Sequence, residues 1–187
     1  MLEELESQIE NANEHFDKAI EHLVFELNKI RAGKASPAML NGIMVDYYGA
    51  PTPLSQVASV TTPDARTIAI QPWEKKSLGA IEKAIFEANL GITPMNDGEV
   101  VRLMVPLMSE ERRIMMSKQA KASGEESKVA IRAHRHKVMD HIKKAVKDGF
   151  PEDAGKKMEE DVQKTIDSYV AKIDKTVEAK EKDIMTV

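Results

Sequence analysis

Apolar residues recur at steps of three and four through the first thirty positions: Leu2, Leu5, Ile9, Ala12, Phe16, Ile20, Leu23, Leu27 and Ile30. That spacing predicts one long amphipathic helix over 1–30. Glu and Asp fill much of its polar face, eight acids against Lys18 and Lys29. The period then breaks. Between Gly33 and Pro106 lie seven of the eight prolines and six of the nine glycines, with β-branched runs between them. Ile43–Tyr48 reads as a strand with Tyr47 and Tyr48 in its core, closed by the turn-forming stretch Gly49-Ala50-Pro51-Thr52-Pro53. Val57–Thr61 and Arg66–Gln71 read as a strand pair joined through Thr62-Pro63-Asp64-Ala65. Ser77–Asn89 has helical spacing, with Ile81, Ala84, Ile85 and Ala88 inward. Asn96-Asp97-Gly98 marks a turn before a last strand, Glu99–Val105.

Helical period resumes at Ser109, an expected N-cap, with Glu110 and Glu111 against the positive end of the helix dipole. Met116, Ala120, Ile131, Val138, Ile142 and Ala145 form the inward stripe. This second long helix ends near Asp148, where Gly149-Phe150-Pro151 supplies a left-handed cap, an apolar follower and a block to continuation. A third helix follows, with Met158, Val162, Ile166, Tyr169, Ile173, Val177 and Ile184 along one face. Three antiparallel helices around one seam bury all three stripes. The expected fold is therefore α+β: an elongated antiparallel three-helix bundle from 1–30 and 107–187, with a smaller β/α/β domain inserted at 31–106. The chain crosses between the two parts twice, and Gly33 reads as the cap ending the first helix.

Charge changes the picture most in the second helix. The chain sums to −4, yet residues 112–147 hold eleven Lys or Arg against Glu125, Glu126 and Asp140, a local net of +8. A helix made only for solubility would mix its signs. At 100° per residue, Lys121, Lys128, Arg132, Arg135 and Lys143 share an arc of roughly 80° beside the apolar stripe. A basic ridge on a packed helix points to a phosphate backbone as partner.

Other chemistry is missing. With no cysteine there is no disulfide, thiolate metal site or cysteine nucleophile. His134, His136 and His141 lack the i, i+3 or i+4 spacing that brings ligands together on one helix; His136 pairs instead with Asp140. Gly33-Lys34-Ala35-Ser36 is no P-loop, since the upstream glycine and the preceding strand are absent. Glu110-Glu111 and Glu159-Glu160-Asp161 suit helix beginnings better than acid–base work. No catalytic residue, metal site or cofactor is expected. The amino terminus lacks the features of a secretory or organellar leader, and no stretch is apolar enough to span a membrane, so a cytoplasmic location is expected; a bundle with closed seams is expected to be a monomer.

Four stretches carry more than periodicity: IRAGKASP (30–37), VDYYGAPTPLSQ (45–56), VRLMVPLMSEERR (101–113) and KVAIRAHRH (128–136). With IEKAI (81–85), NLGITP (89–94) and KEKDIM (180–185), they closely resemble the bacterial ribosome recycling factor family, in order and over essentially the whole chain. The resemblance implies a three-helix bundle hinged to a β/α/β domain and a translation factor that is not an enzyme. It implies as partners the 70S post-termination ribosome, bound through large-subunit rRNA across the A and P sites, and elongation factor G, which splits the subunits with GTP. By motif, the implied rRNA-binding set is Arg31, Lys34, Arg112, Arg113, Arg132 and Arg135; the ridge adds Lys121 and Lys128. Arg31, Ala32, Gly33 and Lys34, with Val105, Pro106 and Leu107, become the two strands of a hinge. The family usually has Arg where Lys34 and His136 stand here, and lysine lacks the bidentate fork. The rival reading is a coiled-coil adaptor or holdase chaperone that presents open apolar seams to protein clients.

Overall fold

A computed structural model describes residues 1–186. Contacts divide the chain into two compact units, Met1–Ala32 with Glu110–Val187, and Gly33–Ser109.

The first unit is a bundle of three helices: α1 (Leu2–Asn28), α4 (Glu110–Lys147) and α5 (Glu152–Met185). Leu5, Ala12, Phe16, Leu23, Leu27 and Ile30 meet Ala120, Ile131, Val138 and Ile142 of α4 and Val162, Ile166, Ile173, Val177 and Ile184 of α5 in one core. Phe16, Leu23, Ile131, Ile142, Ile173 and Ile184 are essentially sealed from solvent. Each such side chain contributes about 1.5–3 kcal/mol by leaving water. Leu2, expected on the stripe, is exposed in the first turn. At 1.5 Å per residue, α4 is roughly 57 Å long. Its end follows the expected cap: Gly149 takes φ 108°, and the Phe150 N–H donates to the Ala145 carbonyl at 2.9 Å. Phe150 then packs against the core, so α5 starts beside the end of α4. The stripes that an adaptor would hold open are closed on one another.

The second unit joins a hairpin, β1 (Met44–Tyr47) and β2 (Ala50–Pro53), to a four-stranded antiparallel sheet. The short helix α2 (Leu54–Val57) leads into that sheet, β3 (Ala58–Asp64), β4 (Thr67–Pro72), β5 (Met95–Asn96) and β6 (Val101–Met104), ordered β3-β4-β6-β5. Ile68 faces Leu103 and Ile70 faces Val101 across β4–β6, all fully buried. The helix α3 (Leu78–Glu87) lays Ile81 and Ile85 into the same core.

Several expectations change. Pro51–Pro53 is not a turn but the second strand of a hairpin, because Tyr48 and Gly49, with φ 51° and 82°, already reverse the chain. Tyr48 therefore sits at the hairpin tip, 74% exposed, rather than in a strand core. Its hydroxyl donates to Glu74 Oε2 at 2.6 Å while that of Tyr47 donates to Oε1 at 3.1 Å. Ala88, expected inward, lies one residue beyond α3 and is exposed. Gly33 does not cap α1, which ends at Asn28 with Lys29 as its cap residue.

Candidate nucleic-acid interface

The basic ridge runs along the flank of α4 that meets α5. Gly124 and Ser127 are buried on α4, and a Cβ at Gly124 would stand 2.7 Å from Val177 Cγ2. That close approach brings polar side chains on α5 within reach of the ridge. Arg132 and Lys121 remain exposed, as does Lys143. Arg135 is half-buried: its Nε donates to Gln163 Oε1 at 2.7 Å, and Gln163 Nε2 donates to Asp167 Oδ1 at 2.9 Å. Lys128 departs further from a free ridge position. Its side chain is only 18% exposed, with Nζ 2.6 Å from Asp174 and 3.5 Å from Glu125. The Asp174 hydrogen bond holds the Lys128 ammonium above its ordinary value, against the opposing effect of burial. The five cations expected on one solvent ridge thus divide into exposed ones and two that α5 engages.

At the start of α4, Arg112 is exposed and Arg113 half-buried, with the Arg113 Nε enclosed and without a hydrogen-bond partner among the described residues. His136 lies 3.4 Å from Asp140, as their spacing suggests. The sequence offered no sign that His134 stacks on His15 of α1. Among the described residues no group of three or more His, Asp or Glu is placed to hold a metal ion. No helix there is long and apolar enough to cross a membrane.

The connecting segments are tied to one turn. Ala35 N–H donates to the Ala65 carbonyl at 2.8 Å, and Val105 N–H to the Arg66 carbonyl at 2.7 Å. Arg66 Nε returns a bond to the Val105 carbonyl at 3.2 Å. Asp64 holds the turn by accepting from the Arg66 N–H at 2.9 Å, and that bond lowers its carboxyl below the usual range. Gly33 takes φ 71° and lies against Met108, whose Cγ would be 3.1 Å from a Cβ there. Arg31 is exposed, Ala32 packs on the bundle core, Lys34 is half-buried, and Pro106 and Leu107 are exposed. The return boundary falls after Ser109 rather than near Pro106. Val105 and Met108 account for this, since each is held within Gly33–Ser109.

Gln163, Asp167 and Asp174 were missed because the ridge was read on one helix alone. The short turn after α4 supplied a usable signal: Arg135 and Gln163 each lie fourteen residues from Gly149, on opposite sides of it. The turn at Asp64–Arg66 had no comparable signal, since its carbonyls are aimed only by the folded sheet.

The chain is thus an α+β protein, a three-helix bundle with a basic flank on α4 and an inserted α/β unit. The family model described as ribosome recycling factor matches residues 23–185. The ribosome-recycling factor of Porphyromonas gingivalis is 51% identical over 185 residues, covering 98% of this chain and all of that one. That of Cytophaga hutchinsonii is 50% identical over 186 residues, covering both chains fully. A solution structure of a ribosome recycling factor aligns over the whole of both chains at 36% identity, with a TM-score of 0.74. Another structural neighbour aligns at 39% identity with a TM-score of 0.61, covering 97% of this chain and 99% of that one. It belongs to models of the Thermus thermophilus ribosome recycling factor and the Escherichia coli elongation factor G on the E. coli post-termination complex. The chain belongs to the ribosome recycling factor family, whose members are translation factors and not enzymes.

Proposed function

We propose that this protein binds the post-termination ribosome through large-subunit rRNA in the A- and P-site region and, with elongation factor G and GTP, splits it into subunits. Family membership over essentially the full chain supports the reading, as does a structural neighbour described on a post-termination complex with elongation factor G. The observation that carries it is the α4 flank, where Arg132 is exposed and Arg135, among the described residues, engages a hydrogen-bond partner through Nε alone. Arginines of this kind fix register on folded RNA through the backbone rather than by reading bases. The contact set is Arg132, Arg135 and Lys121 on α4, with Arg112, Arg113, Arg31 and Lys34 near the connections. Lys128 reaches phosphate only by exchanging Asp174 for it.

The protein acts in the cytoplasm as a monomer, supplying shape and grip while the GTPase supplies energy. Arg31–Lys34 and Val105–Leu107 serve as a two-stranded hinge, so that binding and splitting are separable steps. The chain has no cysteine, so one dye can be attached to each unit at an introduced cysteine. Transfer efficiency between the dyes should change when elongation factor G and GTP join the ribosome complex; a constant value would make the hinge a plain linker. Recycling itself is tested by sucrose-gradient sedimentation of post-termination ribosomes with this protein, elongation factor G and GTP. Conversion to subunits is expected, and intact 70S particles would refute the function.

A further inference from the structure

The side chain of Arg135 is held by a neutral group, and that choice has a consequence for binding phosphate. A guanidinium can only donate hydrogen bonds and an ionised carboxylate can only accept them. Gln163 stands between the two on adjacent helices. It must turn its oxygen to Arg135 and its NH2 to Asp167, which is the arrangement present, at 2.7 and 2.9 Å. Asp167, one helical turn along α5, therefore keeps the amide from flipping. The bond to Nε restrains the guanidinium plane, and the two terminal nitrogens, the edge that binds phosphate oxygens in pairs, have no hydrogen-bond partner among the described residues.

Lys128 gives the contrast on the same flank. Its partner is the carboxylate of Asp174, so its charge is compensated within the bundle. Arg135 is oriented at comparable distance with no formal charge on the group that touches it. A glutamate in place of Gln163 would keep the acceptor but cancel much of the field that an RNA phosphate meets.

We propose that Gln163, fixed by Asp167, is a positioning residue that presents Arg135 to an rRNA phosphate, and that its neutrality keeps the arginine's charge available. The proposal rests on the reading of the α4 flank as the RNA face. Binding of purified 70S ribosomes to the full-length protein, measured against salt, tests both levels separately. Gln163→Ala should weaken binding by roughly tenfold, the scale of one hydrogen bond to a charged group. It should add nothing when Arg135 is already alanine. Gln163→Glu should bind less tightly than wild type and flatten the log–log salt slope by up to about 0.7–0.9, the value of one phosphate contact. The NMR signal of the Arg135 Nε–H should exchange with water faster in Gln163→Ala than in wild type, with the melting temperature little changed. Full binding by Gln163→Ala while Arg135→Ala binds weakly would overturn the positioning role alone, as would additive losses in the double variant or a Glu variant that binds like wild type. If Arg132→Ala and Arg135→Ala both bind as wild type, the flank is not the RNA face and the proposal falls with it.

Discussion

The imidazole rings of His15 on α1 and His134 on α4 stack with centroids 4.2 Å apart and planes within 6° of parallel. Phe16 meets the His134 ring edge-on at 6.5 Å, so the pair borders the apolar core. Burial first, then the neighbouring His15 and Lys137, lowers the pKa of His134 below 6.5.

This stack predicts acid sensitivity in a definite window. A histidine depressed by folding binds its proton more readily in the unfolded chain, so stability falls as pH drops below about 6.5 and the loss is complete below the folded value. The melting temperature should decline between pH 7.5 and 5.5, before most carboxylates titrate. His134→Gln should flatten that part of the profile. An equal slope in the variant would place the effect elsewhere.

Reversing charge on the ridge should separate two arginines that look alike in sequence. Arg132→Glu changes an exposed side chain and should leave the melting curve within about 0.5 kcal/mol of wild type. Arg135→Glu also sets an acid against Gln163 and should cost some stability. Each should weaken ribosome binding and reduce the salt slope by roughly 0.7–0.9. Unchanged affinity and slope in both would remove α4 as the RNA face.

Gly124 tests the α4–α5 seam. In an exposed helix, Gly→Ala stabilises by about 1 kcal/mol through backbone entropy. Here the new methyl would stand 2.7 Å from Val177 Cγ2 in the core, and overpacking costs about 1–3 kcal/mol. The sign should therefore be destabilising in thermal or urea unfolding. Adding Val177→Ala should make the double variant more stable than the sum of the single effects predicts. A rise in melting temperature for Gly124→Ala alone would show that the seam yields freely.

All three tyrosines should resist alkaline ionisation. The Glu74 hydrogen bond raises Tyr48 to about 12, and burial followed by the Asp17 bond raises Tyr169 to about 12. Tyr47 is raised as well, by desolvation and then by Glu74. Folded protein at pH 10 should show little of the tyrosinate absorbance expected at the ordinary value of 10. Glu74→Gln should return Tyr48 toward 10 while leaving Tyr169 high. Since folding favours the protonated phenols, stability from these groups is present below pH 10 and declines above it.

Much of this protein was legible in its sequence because helices declare themselves locally. Phe16, Ile131 and Ile173 follow a 3.6-residue period, and only one face of each helix can bury such residues. Gly149-Phe150-Pro151 announces the end of α4 because the left-handed cap has a narrow choice of residues. The basic character of α4 was equally plain, since charge counts need no coordinates, and the motifs at 30–37, 101–113 and 128–136 carried the family.

Tertiary structure decided what each residue meets. Lys128 and Arg132 share an arc on an isolated helix, but packing against α5 compensates the first with Asp174 and leaves the second in solvent. Arg135 became a restrained donor only because Gln163 lies opposite it across the turn. Tyr48 looked like a strand residue until the hairpin placed it at a left-handed tip. His15 and His134 are 119 positions apart, and their stack exists only where two helix faces meet. A helix's own period dictates which face is buried; which neighbour fills a given place depends on contacts distant in sequence, and those set the charge and freedom of the side chains proposed to grip RNA.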